Sequence, residues 1–309
     1  MNKDLISGFD LSVSDINAIF SLTKKLKRKK ISKALSGKTV GLVFQKPSVR
    51  TRVSFEVGAR QLGADCLYLA PQDINLGSRE PIKDVARVLS RYLDAIIART
   101  FSHTHILELA RYAKVSVING LSDLYHPAQG LADIYTLIEK AGKCKGKKLV
   151  FIGDGNNVVH SLAALSAKLG LNFSLATPKG YEPDKKIWAQ ALSIAKKTGS
   201  KIEHGYDAKA ALKGADFVYT DVWTSMGQEK ERKKRLKDFR RFQINAKLLK
   251  AVGKKYSIMH CMPVHRGEEI TDDVIESKNS VVFDQAENRL HVQKAVMALL
   301  LKQQVKSKK

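Results

Sequence analysis

Only three cysteines, Cys66, Cys144 and Cys261, are spread along the 309 residues. An odd, sparse set excludes a disulfide framework and fits a reducing compartment. Long apolar runs are missing as well. No stretch approaches the roughly 20 uninterrupted apolar residues that a membrane helix needs. The opening segment, MNKDLISGFDLSVSDINAIF, has no apolar signal core and carries acids early, unlike an Arg-rich transit peptide. The expected compartment is the cytoplasm, with no membrane association. Internal repeats and low-complexity linkers are also absent. Acids are outnumbered, 30 against 54 Lys and Arg, for a formal charge of +24. Such a surplus suits a nucleic acid or a small anionic substrate. Part of it lies in two runs, Lys24–Lys33 (KKLKRKKISK) and Lys230–Arg241 (KERKKRLKDFRR). Neither interleaves aromatics as a base-stacking surface does. Both read as solvated helix faces, and no nucleic-acid partner is expected.

What is present is a regular alternation. The length points to two domains. Ser14 is placed to cap a helix over Asp15–Lys30 with Ile16, Ile19, Phe20 and Leu26 on its apolar face. Lys38–Phe44 reads as a strand, a helix starts near Thr51, Cys66–Leu69 is a strand and Pro81–Arg91 a helix. Asp94–Ala98 is a strand, His103–Tyr112 a helix, and Val115–Asn119 another strand. The pattern restarts after a helix over Ala132–Lys140. Strands are expected at Lys147–Asp154, Asn172–Pro178, Phe217–Thr220 and Ser257–His260, with helices over Val158–Leu169 and about Leu290–Lys302. This predicts an α/β fold of two doubly wound parallel-sheet domains joined by helices. Ligands of such sheets bind outside the carboxyl ends of the strands.

Four polar clusters fall at predicted strand ends. Ser48-Val49-Arg50-Thr51-Arg52 follows a strand and opens a helix, so backbone N–H groups, hydroxyls and a guanidinium from Arg50 or Arg52 could hold phosphate oxygens. The bland alternative is an ordinary helix start. His126-Pro127-Ala128-Gln129, followed by Gly130-Leu131-Ala132-Asp133, offers two groups that polarise a carbonyl, although a lone His is more often structural. Asp221-Val222-Trp223-Thr224-Ser225-Met226-Gly227 offers a carboxylate for an ammonium group; alone, it reads as a polar loop with a capping Asp. His260-Cys261-Met262-Pro263 holds a thiol that is either inert packing or activated beside a cleft. His260, Cys261 and His265 raise a metal site, but no second cluster at ligand spacing completes it, and no metal is expected.

In this order the four clusters resemble the signature set of the ornithine type within the aspartate/ornithine carbamoyltransferase family. The first two are shared across that family; the last two mark the ornithine type. Gly153-Asp154-Gly155-Asn156-Asn157 and Glu287-Asn288-Arg289-Leu290-His291 also match. The resemblance implies carbamoyl transfer from carbamoyl phosphate to the δ-amino group of L-ornithine. It implies a domain over residues 1–138 for carbamoyl phosphate, with the helix over about 288–309 packing back on it, and a domain over 139–287 for ornithine. Ser48, Val49, Arg50 and Thr51 would hold the phosphate, and Arg99 would bridge phosphate and carbonyl oxygen. His126 and Gln129 would contact the carbamoyl group, and Arg289 would close on its carbonyl oxygen. Asn157, Asp221, Ser225 and Met226 would bind the α-carboxylate and α-amino group. Cys261 would stand beside the δ-amine, with the Met262 backbone near the carbamoyl amide. The catalytic set would be Arg50, Arg99, His126, Cys261 and Arg289. Val49 departs from the pattern, which commonly has Thr there, so one side-chain donor is lost. The resemblance further implies no organic or metal cofactor, and a homo-oligomer, a trimer or a multiple of trimers.

Other readings stand beside this one. Within the family, the acceptor could be putrescine or a modified ornithine. A nicotinamide-dependent Rossmann dehydrogenase is suggested by the glycines after Ile152, but a third glycine is missing. The next strand ends in Ala176-Thr177-Pro178, with no acid for a ribose hydroxyl.

Overall fold

The computed structural model describes residues 1–29, 31–225 and 227–306. The chain divides into two compact units, Met1–Ala132 with Asn288–Lys309, and Asp133–Glu287. In chain order the first stretch carries α1 (Val13–Arg28), β1 (Thr39–Phe44), α2 (Val49–Gln61), β2 (Asp65–Leu69), α3 (Pro71–Ile74), α4 (Ile82–Tyr92), β3 (Ala95–Arg99), α5 (His103–Tyr112), β4 (Ser116–Leu121) and α6 (Pro127–Ala141). Then follow β5 (Lys148–Ile152), α7 (Asn157–Leu169), β6 (Asn172–Ala176), α8 (Lys185–Thr198), β7 (Ile202–Gly205), α9 (Ala208–Leu212), β8 (Phe217–Thr220), α10 (Arg232–Phe239), α11 (Ala246–Leu249), β9 (Ser257–His260), α12 (Asp272–Ile275) and α13 (Val282–Lys306). Both unit boundaries fall inside helices, α6 and α13.

Each unit is built on one parallel sheet, in the order β2-β1-β3-β4 in the first and β7-β6-β5-β8-β9 in the second. The central strands are short continuous runs of Val, Ile, Leu, Phe and Ala, as strands covered by helices on both faces require. Val43, Ile82, Val85, Ile96, Ile106 and Val117 share one core in unit 1. In unit 2, Val150, Ile152, Val218, Trp223, Phe239 and Ile258 share another. The strand order reverses between β1 and β3 in the first sheet and between β5 and β8 in the second. Those reversals open a crevice at the carboxyl ends, where loops diverge in opposite directions.

Several expected boundaries moved. The first helix is capped by Ser12, not Ser14: its Oγ accepts from the Asp15 N–H at 3.1 Å while Asp15 Oδ2 accepts from the Ser12 N–H at 3.0 Å. That reciprocal box needs an acid three residues on, which Ser12 has and Ser14 lacks. The expected end of this helix at Lys30 lies outside the described residues. The sixth helix begins at Pro127, five residues before its expected start, so Gln129 sits in its first turn. Strand β7, with its half-exposed IEHG sequence at the sheet edge, was not expected at all.

The glycine-rich turn after β5 has a packing reason. Gly155 donates its N–H to the Tyr181 carbonyl at 2.9 Å, and a Cβ there would stand 2.4 Å from the Pro183 nitrogen. The residue is small because another backbone crosses it. Gly155→Ala is therefore expected to destabilise the protein by about 1–3 kcal/mol, the usual cost of forcing an extra methyl into a packed site. Urea unfolding monitored by circular dichroism reads this; an unchanged midpoint would contradict the close approach.

Candidate active site

Unit 1 gathers cations at its strand-order reversal. Ser48 caps α2, its Oγ accepting from the Thr51 N–H at 3.3 Å. The N–H groups of Val49 and Arg50, in the first turn, have no acceptor within the helix by geometry. Arg99 ends β3 directly opposite Phe44 at the end of β1, and the Gln45 N–H donates to the Arg99 carbonyl at 2.8 Å. Arg289, from α13, donates through Nη2 to Thr51 Oγ1 at 2.8 Å. That hydroxyl keeps its own proton to give to a ligand. Arg52, the other expected fork, stacks 3.8 Å from the Tyr68 ring and pairs with Glu56, which leaves Arg50 for an anion. Val49 is 76 % exposed.

Burial, then repulsion from Arg289 and Arg50, lowers the Arg99 guanidinium to about 10. His126 is buried and pushed well below the ordinary histidine range by that burial, with Arg289, Arg99 and Lys46 adding to it. It is a neutral imidazole at physiological pH, hence a donor and not an acid. Its loop is shaped by Ser122: the Ser122 N–H donates to the Tyr125 carbonyl at 2.9 Å, and Ser122 Oγ lies 2.9 Å from His103 Nδ1. Gln129 is buried in the first turn of α6. In this cluster one buried cation escaped the sequence reading. Lys46, two residues before Ser48, lies 5.0 Å from the Phe101 ring centroid and is lowered to about 8 by burial and by Arg99.

Unit 2 gathers an acid. Asp221 follows β8 and is nearly buried. Its Oδ1 accepts from the Val222 N–H at 2.8 Å and from the Cys261 thiol at 2.9 Å; its Oδ2 accepts from Asn156 Nδ2 at 2.9 Å. Asn156 also caps α7, its Oδ1 accepting from Val158 and Val159 N–H groups. Asn157, the residue expected to touch ligand, opens that helix next to it. Ser225 is half-buried, and its N–H donates to Gln228 Oε1 at 3.0 Å. Met226 lies outside the described residues. Cys261 follows β9. Burial and the neighbouring Asp221 raise its thiol far above the ordinary range, so it stands protonated as a donor and does not act as a base. Met262 holds a left-handed φ of +60° and gives its N–H to His260 Nδ1 at 2.9 Å. Nδ1 accepts there, so the ring proton sits on Nε2, 3.2 Å from Glu269 Oε1. The His260 N–H donates to Gln285 Oε1 at 2.9 Å, Gln285 Nε2 to Asp133 Oδ1 at 2.6 Å, and Tyr219 Oη to Asp133 Oδ2 at 3.0 Å. These bonds hold the Cys261 turn from behind. His265 does not join His260 and Cys261, so the trio that the sequence raised and set aside is not assembled; the ligand atoms of Asp221, His260 and Cys261 do lie within 4.8 Å, each already engaged as described.

Arg235 was missed because it sits inside the charged run Lys230–Arg241, read as a solvated face. It is 6 % exposed. Its Nη1 donates to Asp154 Oδ2 at 2.7 Å and to the Trp223 carbonyl at 3.0 Å, and its Nε to Glu231 Oε2 at 2.9 Å. It neutralises Asp154, whose carboxyl is raised by burial despite this pairing, and it pins the loop after Asp221. A buried Phe239 one turn later was the available signal, since it puts Arg235 on the inward face.

Two doubly wound sheets, one with a cationic and one with an acidic cluster at its reversal point, define an enzyme that binds an anionic and an ammonium-bearing substrate. The comparisons with known proteins agree. Residues 3–139 match the family described as aspartate/ornithine carbamoyltransferase, carbamoyl-P binding domain, and residues 145–300 its Asp/Orn binding domain. The ornithine carbamoyltransferase of Pyrococcus horikoshii is 54 % identical over 303 residues, 97 % of this chain and 96 % of that one. The structure of ornithine carbamoyltransferase from Pyrococcus furiosus superposes with a TM-score of 0.93 at 53 % identity, covering 96 % of both chains. That of the anabolic enzyme from Campylobacter jejuni gives 0.93 at 39 % identity, covering 98 % of this chain and all (100 %) of the other. The chain belongs to the aspartate/ornithine carbamoyltransferase family.

Removing Arg235 strands a buried carboxylate, so Arg235→Met is expected to cost about 3–5 kcal/mol of stability. Adding Asp154→Asn removes the stranded charge, and the double variant is expected to recover at least about 1 kcal/mol of that loss. Urea midpoints of the two single variants and the double give the coupling; strict additivity would show that the pair is not coupled.

Proposed function

We propose that this chain transfers the carbamoyl group of carbamoyl phosphate to the δ-amino group of L-ornithine, forming L-citrulline and phosphate in the biosynthetic direction. The observation that carries the reading is the pairing of clusters: mutually repelling guanidiniums on a phosphate-type helix start, and an acid tied to a protonated thiol. Repulsion among Arg50, Arg99 and Arg289 is relieved by a dianion. The direction is supported by the word anabolic in the names of the Pyrococcus furiosus and Campylobacter jejuni relatives.

In this reading Ser48, Thr51, Arg50, Arg99 and the Val49 and Arg50 N–H groups hold the phosphate. His126, as a neutral donor, Gln129 and Arg289 polarise the carbamoyl carbonyl. Asp221 has one lone pair left, on Oδ2, after its three present partners and takes the α-ammonium of ornithine, with Asn157 and Ser225 around the amino-acid end. Cys261 orients the δ-amine. The neutral amine attacks the carbonyl carbon, the C–N bond forms, the C–O bond to phosphate breaks, and the nitrogen sheds a proton. Charge building on the carbonyl oxygen meets donors already in place, which is where most of the acceleration comes from. A dicarboxylate acceptor is disfavoured, because Asp221 already places an uncompensated negative charge here, Asp154 being paired with Arg235. Putrescine keeps an ammonium but lacks the α-carboxylate.

We further propose a homotrimer, located in the cytoplasm. No described helix is long and apolar enough to cross a membrane. Helix α2 exposes Val49, Val53 and Val57 at four-residue intervals beside the edge strand β2, whose Leu67 is also exposed. Such a stripe is suited to a second copy of the chain. Val53→Glu is expected to lower the mass seen by light scattering; a wild-type monomer would refute the assembly.

Arg99→Ala is expected to lower kcat by about 100- to 1,000-fold with the fold intact, the loss typical of one oxyanion donor. Citrulline formation with ornithine, putrescine, lysine and aspartate tests the acceptor, and faster turnover of putrescine would overturn it. The pH dependence has two limbs. The δ-ammonium titrates near about 10.4, so kcat/KM for ornithine rises through neutrality. Lys46, lowered to about 8, loses its charge above that pH, and affinity for carbamoyl phosphate is expected to fall there. Lys46→Met flattens that second limb; a wild-type affinity that stays level from pH 7 to about 9 would remove Lys46 from the anion's field.

A further inference from the structure

Beyond the groups used above, unit 2 gathers His265, Glu268 and Glu269. A turn brings them together. The Glu268 N–H donates to the His265 carbonyl at 2.9 Å, and Gly267, at a φ of +86°, lets the chain reverse. His265 Nδ1 and one carboxylate oxygen from each glutamate all lie within 4.8 Å of one another, with Nδ1 3.5 Å from Glu268 Oε2. Each carboxylate is fixed through its other oxygen. Glu268 Oε1 accepts from Arg232 Nη2, and Glu269 Oε1 accepts from the His265 N–H at 2.6 Å and from His260 Nε2 at 3.2 Å. His265 Nδ1, Glu268 Oε2 and Glu269 Oε2 are buried and have no hydrogen-bond partner among the described residues. The Glu269 side chain is wholly buried, 0 % exposed. His265 Nδ1 and Glu268 Oε2 can pair with each other across that 3.5 Å, which leaves Glu269 Oε2 as the buried carboxylate oxygen with neither a hydrogen bond nor an ion pair. Such an oxygen is costly unless a cation or a donor stands beside it.

We propose that His265, Glu268 and Glu269 bind a divalent cation of the first transition row through Nδ1 and the two carboxylates. Two hard oxygens and one imidazole nitrogen suit Mn²⁺, Fe²⁺ or Zn²⁺ with water completing the shell. The bonds from Arg232 and His260 act as outer partners that orient the ligating oxygens. Glu268 and Glu269 against Arg232 leave this cluster one negative charge, in a chain whose formal charge is +24. Divalent cations are thereby repelled from most of the surface but not from here. The half-exposed His265 ring, 41 % accessible, gives the ion a way in. Because Glu269 also accepts a hydrogen bond from His260 Nε2, a bound ion braces the segment from His260 to Ile270, which carries Cys261.

The full chain, stripped with a chelator and dialysed, is titrated with Mn²⁺ while the free-ion signal is followed by electron paramagnetic resonance. Mn²⁺ is chosen because a thiol site disfavours it. One equivalent is expected to bind. His265→Ala and Glu268→Gln, at partly exposed positions where the fold tolerates change, are each expected to weaken it by at least about tenfold, the loss that even an orienting partner costs a metal site. Cys261→Ser is expected to leave it unchanged. Hydrogen exchange of the backbone over residues 260–270 is expected to slow with Mn²⁺ in the wild type and not in His265→Ala. No binding at millimolar Mn²⁺, equal binding in His265→Ala, or loss of binding in Cys261→Ser alone would each overturn the site.

Discussion

Asp221 is tied to three loops of unit 2 at once. Its two oxygens receive the Asn156 amide from the β5–α7 turn, the Val222 N–H of its own loop, and the Cys261 thiol from the turn after β9. Those loops leave neighbouring strands around the point where strand order reverses, so one carboxylate sets their spacing. The arrangement depends on charge bookkeeping. Asp154 lies near enough to raise the cost of a second negative charge, and Arg235 offsets it. With Arg235 paired to Asp154, the charge of Asp221 is left to an incoming ammonium group.

Unit 1 poses the opposite problem. Arg50, Arg99 and Arg289 crowd one end of a sheet with a nearly buried lysine, an arrangement that costs stability in the absence of an anion. The same crowding makes the site complementary to a dianion before it arrives, so little reorganisation is left for the reaction itself. It also decides the state of His126. An imidazole buried among guanidiniums cannot hold a second proton, and it therefore serves as a neutral hydrogen-bond donor. Cys261 is held protonated by the reverse field, burial beside carboxylates. Each unit thus sets the protonation of its chemical groups through fixed charge.

The architecture and most of the cluster membership were legible in the order of residues alone. Runs such as TVGLVF and KLVFI can only be covered strands, and their alternation with amphipathic segments leaves a parallel doubly wound sheet as the economical solution. Ser48–Thr51, His126, Asp221 and Cys261 were legible because each stands within a few residues of a strand end, where such sheets place their ligands. The pairings across long sequence distances came from the folded chain. That Arg235 is buried against Asp154, within a run otherwise given to solvent, follows from the packing of Phe239 and Trp223. That Arg52 turns to Tyr68 and leaves Arg50 to the anion depends on where β2 lies. The role of Asn156, the protonated state of Cys261 and the assembly of His265 with Glu268 and Glu269 were likewise closed to the sequence. Periodicity records which way a side chain faces on its own element; the partner it meets, and the field it meets it in, exist only after the chain has closed.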